Sequence, residues 1–281
     1  MVIRVALDTL KREKDMPRDS KEWAVYRKDG EPIDHLSPSS LSRFISCPES
    51  WRLHYLVGDP EPQNVYAVWG ICHHEALAEN FRWKIEMGHD LPENNVATIF
   101  TDRLKEIMAE NPDLDWRKET PERVAKVGSS LIRCYMRETA PSVLPLSVEK
   151  EYNLSGFPVP IRMILDLETP DEIIDYKTAS RSRKTPSPSW LLQAACYQLI
   201  VRKPLVWHVA VKQEPPFVLT DIRQEYYSGR YEDTRKMILF LCSQIQSLYD
   251  RYGADAEWPG TGMNLDQCWK CSFDPCYWRR H

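Results

Sequence analysis

The chain has 281 residues, of which 42% are hydrophobic and 28% are charged, so it can bury a core and is not a disordered tail. It has no uninterrupted apolar run near the ~18 residues that a membrane helix needs. These properties exclude collagens, coiled coils, membrane-spanning proteins and small secreted disulfide proteins. The charged N-terminus does not resemble a signal peptide, so we expect a cytoplasmic protein with no membrane association.

The formal net charge of −4 is unevenly distributed along the chain. Residues 88–122 contain four Lys or Arg and nine Asp or Glu, a local charge of −5, so the remainder carries +1. A near-neutral body can still present a basic groove, and metal-binding carboxylates would themselves add negative charge. The net charge therefore does not exclude a protein that binds nucleic acid.

The first half of the chain has the pattern of helices. After a polar segment over residues 1–34, a short helix begins with Ser37 or Ser39 as its N-cap. Its predicted apolar face consists of Leu41, Phe44 and Ile45. A second helix begins at Pro48 and ends near Tyr55. Three longer helices are predicted over residues 73–87, 94–110 and 121–139, the first with an apolar stripe of Leu77, Phe81 and Ile85.

The second half of the chain changes to the pattern of strands. Three strands are predicted over residues 146–154, 159–168 and 172–178. They are followed by a helix capped by Ser189, by two strands and by a long helix, over residues 190–201, 205–212, 217–226 and 230–252. This order indicates a mixed central sheet flanked by helices, in the α/β (α+β) class.

Two carboxylates and a lysine lie on neighbouring predicted strands. Asp175 and Lys177 are two residues apart, so they lie on the same face of a strand, with Tyr176 on the other. A turn at residues 169–171 would pair this strand with the preceding one, so that Asp166 and Asp175 converge. Two carboxylates buried together need a cation, and oxygen ligands suit Mg²⁺ or Mn²⁺. A lysine beside them suits metal-assisted hydrolysis of a phosphodiester.

Each of these signals also has a structural interpretation. An Asp-x-Lys on a strand is often a surface salt bridge, and Gln193 with Tyr197, four residues apart on a helix, is compatible with core packing. His74, at the start of a predicted helix, is compatible with a structural histidine.

Five short motifs, taken in order, resemble the PD-(D/E)xK nuclease superfamily in its RecB-like branch. The motifs are LSPSSLSRFISCPESWRLHYL, Gly70 with His74, Asp166, Asp175-Tyr176-Lys177, and Gln193-x-x-x-Tyr197. Leu165 stands where the superfamily pattern has a proline before the first aspartate. The resemblance spans residues 36–276 and implies a restriction-endonuclease-like core. It also implies metal ligands from His74, Asp166, Asp175 and the backbone carbonyl of Tyr176. By the same resemblance Lys177 is the catalytic lysine, and Gln193 and Tyr197 position either the substrate or this lysine near the scissile phosphate.

The cysteines fall into two groups. Cys72, Cys134, Cys196 and Cys242 lie in apolar helical stretches and are interpreted as core residues. The other four, Cys47, Cys268, Cys271 and Cys276, have one distant member and a C-x2-C-x4-C run. That pattern resembles AddB-type helicase-nucleases and CRISPR-associated exonucleases, which implies a [4Fe-4S] cluster joining the chain ends. Zinc on the same cysteines and free thiols are the alternatives.

A basic loop follows the predicted catalytic strand. Arg181, Arg183 and Lys184 would meet a phosphate backbone that passes the site, although a solvated loop explains them equally well. Core packing is the favoured interpretation of three tryptophans, and base stacking is the alternative: Trp51, Trp69 and Trp190.

The function expected from these residues is a Mg²⁺- or Mn²⁺-dependent DNA exonuclease that uses a metal-activated water. Its substrate would be DNA that is single-stranded or has free ends, in phage or prokaryotic recombination, repair or end processing, with recombination or helicase proteins as partners. The alternatives are a nuclease of CRISPR adaptation and a catalytically silent iron–sulfur DNA-binding subunit. We expect a nuclease domain over residues 35–257 with a helical insert at about 88–140. The segment 258–281 would close on Cys47 through the cluster.

Overall fold

The computed structural model describes residues 23–59, 64–260 and 271. The chain divides into two compact units. Among the described residues, the terminal unit comprises 23–59, 153–162, 232–260 and 271, and the sheet unit comprises 64–152 and 163–231.

Seven α-helices and five strands are found in the described ranges. The helices are α1 (Pro38–Ser46), α2 (Pro48–Arg52), α3 (Val65–Met87), α4 (Glu93–Glu110), α5 (Pro121–Glu138), α6 (Pro188–Gln198) and α7 (Arg230–Tyr252). The strands are β1 (Ser147–Leu154), β2 (Ile161–Glu168), β3 (Ile173–Ala179), β4 (Leu205–Val211) and β5 (Phe217–Gln224). A π-helical turn, Leu53–Val57, follows α2, and a 3₁₀ turn, Ala140–Ser142, follows α5. In the part of the chain that the structure describes, none of these helices combines the length and apolarity of a membrane span.

The five strands form one mixed sheet in the order β1-β2-β3-β4-β5. β2 and β3 are antiparallel, β3 and β4 are parallel, and β4 and β5 are antiparallel. The parallel pair requires a crossover connection, which α6 supplies. All seven residues of β4 are buried, as expected of a strand at the centre of a covered sheet. The predicted mixed sheet with flanking helices is therefore confirmed.

Helices α3, α4 and α5 build the core of the sheet unit. Trp69, Leu77 and Phe81 of α3 are fully buried, in one cluster with Phe100 of α4. A Cβ atom on Gly128 of α5 would lie 2.1 Å from the Phe100 ring, so only glycine allows α4 and α5 to approach this closely. This packing fixes α3, which supplies one residue of the candidate site, against the sheet.

Two helices begin earlier than predicted. α3 begins at Val65, eight residues before the predicted start, because the Asn64 side chain accepts from the N–H groups of Tyr66 and Ala67 and caps the helix there. α6 is capped by Ser187, which accepts from the N–H of Trp190, and not by Ser189. The predicted cap of α1 at Ser37 is correct.

In each of two predicted apolar helix faces, one residue is exposed and not buried. Leu41 and Phe44 are buried, but Ile45 is 51% exposed. Leu77 and Phe81 are likewise buried, whereas Ile85 is 45% exposed. The helical period alone places these isoleucines next to the buried stripe, and the neighbouring elements do not extend far enough to cover them.

A buried ion pair organises the terminal unit. Arg52 donates to both carboxylate oxygens of Glu49, at 2.8 and 2.6 Å, and to the carbonyl oxygen of Ala254 at 2.6 Å. Glu49 also accepts from the backbone N–H of Trp258 at 2.7 Å. The Trp258 ring stacks on Trp51 with 5.6 Å between centroids. Trp51 is thus a core residue and not a stacking surface, and the same holds for fully buried Trp69.

Candidate active site

Two aspartates lie on adjacent strands of the sheet unit. In the antiparallel pairing of β2 and β3, Leu167 is opposite Ile174, so the next positions along the strands are Asp166 and Asp175. The Oδ2 atom of Asp166 accepts a hydrogen bond of 2.9 Å from the backbone N–H of Tyr176. Strand pairing therefore brings the two carboxylates together, as the hairpin pattern predicts.

Lys177 lies on the same face of β3 as Asp175. Its Nζ atom is 2.6 Å from Asp175 Oδ2, and the two side chains are 20% and 1% exposed. Oδ1 of Asp175 has no hydrogen-bond partner among the described residues, and Oδ2 has only the Lys177 amine. A buried carboxylate with a single charged partner is incompletely compensated, so this position is suited to a further cation.

A chain of hydrogen bonds from α6 holds the lysine. Lys177 Nζ donates to Gln193 Oε1 at 3.1 Å, and Gln193 Nε2 donates to the Tyr197 hydroxyl at 2.8 Å. That hydroxyl donates in turn to the backbone carbonyl of Ile164 on β2, at 2.8 Å. The i, i+4 spacing of the glutamine and the tyrosine on α6 makes this chain possible. These contacts fix the lysine amine relative to both strands.

The two adjacent histidines of α3 have different surroundings. His74 Nδ1 lies 3.3 Å from Asp166 Oδ2, and its ring meets the Tyr176 ring edge-on at 5.7 Å. His73 is 1% exposed, and neither of its ring nitrogens has a hydrogen-bond partner in the described part of the chain. The structure thus places His74, and not His73, beside the carboxylates.

Burial and neighbouring charges shift the pKa values of these groups in different directions. Burial raises the pKa of Asp175, Lys177 opposes this in part, and the Asp166 charge adds to it. Burial acts in the same sense on Asp166, but His74, Lys177 and the Tyr176 N–H hold its pKa below the usual value. Burial disfavours charged His74, yet Asp166 raises the pKa of this histidine. Asp166 is therefore well compensated, whereas Asp175 is not.

The donor atoms around Asp175 fit a hard divalent cation. Among the described residues, the side chains form no ready-made group of three or more His, Cys, Asp or Glu metal ligands. Oδ1 of Asp175 nevertheless has no hydrogen-bond partner among them, and carboxylate and carbonyl oxygens are the ligands that Mg²⁺ and Mn²⁺ prefer. Asp175 with Asp166, and with the Tyr176 carbonyl and His74 as further donors, is chemically suited to such an ion.

The cysteine group is described only in part. Cys47 is the N-cap of α2, where its sulfur accepts from the N–H of Ser50 at 3.5 Å. Cys271 packs against Leu53, in the helical turn that follows α2. Cys268 and Cys276 lie outside the described residues. The structure therefore brings Cys271 to the segment that begins with Cys47. The four cysteines that were interpreted as core residues, Cys72, Cys134, Cys196 and Cys242, are all buried, as the sequence predicts.

The basic loop after β3 lies at the surface. Arg181, Arg183 and Lys184 are all exposed. The Arg183 guanidinium lies over the Trp190 ring, 4.5 Å from its centroid. Trp190 is only half-buried, unlike the other two tryptophans considered for stacking, and Lys177 Nζ is 5.9 Å from its centroid.

Two contributors to the site were not predicted from the sequence. The Ile164 carbonyl anchors Tyr197, and a backbone atom leaves no signal in residue identities. Trp207 on β4 is opposite Asp175 in the register and stacks on Trp190. Trp190 is three residues before Gln193 and so shares its helix face. This spacing is the one signal in the sequence that could have indicated that Trp190 and Trp207 lie beside the site.

Comparison with known proteins identifies the family of the chain. A search of curated proteins gave no significant match. A solved structure described as "Putative exonuclease" from Eubacterium rectale is 14% identical, covers 76% of this chain and 82% of its own, and has a TM-score of 0.49. The sequence model of the PD-(D/E)XK nuclease superfamily matches residues 35–247. The chain, with its restriction-endonuclease-like mixed sheet, therefore belongs to the PD-(D/E)XK nuclease superfamily.

Proposed function

We propose that the protein is a metal-dependent exonuclease that hydrolyses phosphodiester bonds of DNA during recombination, repair or end processing. The observation that carries the proposal is the buried, incompletely compensated Asp175 beside Asp166, with the Lys177 amine 2.6 Å away. Membership of the nuclease superfamily supports DNA as the substrate. The proposed location of the protein is the cytoplasm of a bacterium or of a phage-infected cell, and its proposed partners are recombination or helicase proteins.

The proposed roles follow from the contacts of each side chain. Asp175 and Asp166 would hold Mg²⁺ or Mn²⁺, with His74 and the Tyr176 carbonyl as further ligands. When bound, such an ion supplies Lewis-acid stabilisation of the phosphate and lowers the pKa of water. Lys177 is positioned to orient the attacking water or to stabilise negative charge that develops on the phosphate. Gln193 keeps the amine in that position through its 3.1 Å hydrogen bond.

The test is cleavage of end-labelled single- and double-stranded DNA with Mg²⁺ or Mn²⁺. Lys177→Ala and Asp175→Asn should each lower the rate by about 10²–10³-fold, as expected when a group that stabilises the transition state is removed. The matched control is Asp102 with Lys105, an exposed Asp–Lys ion pair on α4 with an N···O distance of 2.8 Å. Lys105→Ala and Asp102→Asn should cleave like the wild type. A wild type inactive with both metals, or active-site variants as fast as it, would refute the proposal and leave a silent DNA-binding subunit.

A second assay separates exonuclease from endonuclease activity. Linear, end-blocked and circular DNA of one sequence are incubated with the wild type and Mn²⁺. An exonuclease degrades only the linear DNA with free ends. Cleavage of the circular DNA at a similar rate would identify an endonuclease instead.

We also propose that Cys47, Cys268, Cys271 and Cys276 hold a [4Fe-4S] cluster. The contact of Cys271 with the turn that follows Cys47 supports this proposal, with zinc on the same cysteines as the alternative. Such a cluster would act as a staple between the chain ends. The purified protein should then be brown, absorb near ~400 nm, and contain about four irons per chain. A colourless protein with stoichiometric zinc would favour the alternative. Cys268→Ser should lower the melting temperature, and equal melting temperatures would contradict a staple.

A further inference from the structure

Trp190 lies on the face of α6 that carries the active-site hydrogen-bond chain. It is three residues before Gln193 and seven before Tyr197, so all three residues share one stripe of the helix. Its ring centroid is 5.9 Å from Lys177 Nζ. Trp190 therefore forms the wall of the candidate active site next to the lysine.

One face of the Trp190 ring has a rigid support. It stacks on Trp207 with 5.8 Å between centroids and 28° between planes. Trp207 is fully buried and is paired with Asp175 in the parallel register of β3 and β4. The indole of Trp190 is thus held at a fixed angle close to the carboxylate, at little further cost in side-chain entropy.

Two cations also lie over the Trp190 ring. The Arg183 guanidinium is the nearer, 4.5 Å from the centroid, and the Lys177 amine is 5.9 Å away. Because Trp207 occupies one face of the indole, we place the exposed Arg183 over the other face. Arg183 forms no ion pair with a carboxylate in the described part of the chain. An exposed cation–π contact is worth about 0.5–1 kcal/mol, less than the stacking of a nucleobase on an aromatic ring. A base can therefore replace the guanidinium on this face.

We propose that Trp190 is a stacking platform for an unpaired nucleobase next to the scissile phosphate, and that Arg183 then binds the adjoining phosphate. The proposal rests on the proposed nuclease function and specifies its substrate as single-stranded DNA or a frayed end. A base in a duplex is already stacked on both faces, whereas every unpaired base offers a free face, so this binding is independent of sequence.

The experiment measures equilibrium binding of two fluorescent oligonucleotides of equal length to the wild type in EDTA, where no metal-dependent cleavage occurs. One oligonucleotide is all-thymidine, and the other has the same sugar–phosphate backbone without bases. Stacking predicts about tenfold tighter binding of the thymidine strand, since each stacked base contributes several-fold or more. Equal affinities, or no binding of either strand, would overturn the proposal without any variant being needed.

Variants then assign the difference to Trp190. Trp190→Phe should keep most of the preference for the base-bearing strand, and Trp190→Leu should abolish it while leaving binding of the abasic strand unchanged. A melting temperature is recorded for each variant, because Trp190 also packs on Trp207. A folded Trp190→Leu protein that retains the full preference would contradict the proposal.

A matched pair of charge variants tests the role of Arg183. Arg183→Gln and Lys184→Gln each remove one exposed positive charge from the same loop, so their effects through the general electrostatic field are equal. Arg183→Gln should lower affinity for the thymidine strand several-fold more than Lys184→Gln. Equal losses would show that Arg183 contributes only general charge.

The outcomes for the platform and for the nuclease are distinguishable. A wild type that cleaves DNA but binds both strands equally would keep the nuclease and reject the platform. A wild type that prefers the base-bearing strand but does not cleave would keep the platform and reject the nuclease.

Discussion

Each unit contains a buried acid–base pair with a closest N···O distance of 2.6 Å, but the two pairs differ in their remaining contacts. Glu49 receives two hydrogen bonds from Arg52 and a third from the Trp258 N–H. Asp175 has only the Lys177 amine at Oδ2, and its Oδ1 has no hydrogen-bond partner in the described residues. A carboxylate whose oxygens are all hydrogen-bonded holds a fold together, whereas a buried carboxylate with an unpartnered oxygen is suited to a ligand. We therefore assign a structural role to the first pair and a functional role to the second.

The largest expected effect is on stability in the terminal unit. Arg52→Met should lower the free energy of unfolding by about 3–5 kcal/mol, because it leaves the Glu49 charge buried without a partner. The matched control is Arg82→Met, since Glu79 and Arg82 have the same i, i+3 spacing but are 48% and 41% exposed. That change should cost less than about 1 kcal/mol. Urea denaturation measures the free energy of unfolding of both variants. Equal losses in Arg52→Met and Arg82→Met would contradict a structural role for the Glu49–Arg52 pair.

The next largest effect is the pH dependence of stability that a buried neutral histidine, His208, produces. His208 accepts or donates a 2.8 Å hydrogen bond with the Tyr135 hydroxyl, and burial lowers the pKa of this histidine to about 4. The unfolded chain binds a proton near pH 6.5 and the folded chain does not, so stability falls as the pH decreases from about 6.5 to about 4. By linkage this group alone accounts for about 3 kcal/mol of that loss.

Replacement of the histidine isolates its share of the pH dependence. His208→Asn should remove most of that 3 kcal/mol difference between pH 6.5 and pH 4, because asparagine does not titrate there. Exposed His89→Asn serves as the control and should leave the pH profile of unfolding unchanged. Parallel profiles for wild type and His208→Asn would show that His208 is not held neutral by burial.

A smaller effect separates the two carboxylates of the candidate site. Asp166 accepts from the Tyr176 N–H and lies beside His74, so Asp166→Asn should lower the free energy of unfolding by about 1–2 kcal/mol. Asp175→Asn removes an incompletely compensated charge, so in EDTA it should leave stability unchanged or raise it by about 1 kcal/mol. Chemical denaturation distinguishes the two. A larger loss for Asp175→Asn than for Asp166→Asn would mean that Asp175 is a structural residue.

The sequence predicts those features of the site that depend on strand geometry. Alternation along β3 places Asp175 and Lys177 on one face, and a short turn brings Asp166 opposite, so both features follow from local pattern. The i, i+4 spacing of Gln193 and Tyr197 similarly predicts a shared helix face. The strand ranges are predictable for the same reason, since period-2 patterns bounded by turn residues are local signals.

Features that depend on tertiary contacts were not predictable in this way. The exposure of Ile45 and Ile85 depends on how far neighbouring elements extend, which the helical period does not encode. The sequence could not decide between core packing and stacking for three tryptophans, and burial separates Trp51 and Trp69 from half-buried Trp190. The anchor of Tyr197 is a backbone carbonyl, which any residue at position 164 would supply.

The most direct test of the functional assignment is the melting temperature of the metal-free protein titrated with Mn²⁺. An ion that binds the folded chain at Asp175 raises the melting temperature with increasing concentration, because ligand binding to the native state stabilises it. We expect the melting temperature to rise with Mn²⁺ in the wild type and in the exposed control Asp102→Asn. In Asp175→Asn we expect no such rise. An equal rise in all three proteins, or no rise in the wild type, would contradict the assignment of Asp175 to a catalytic metal.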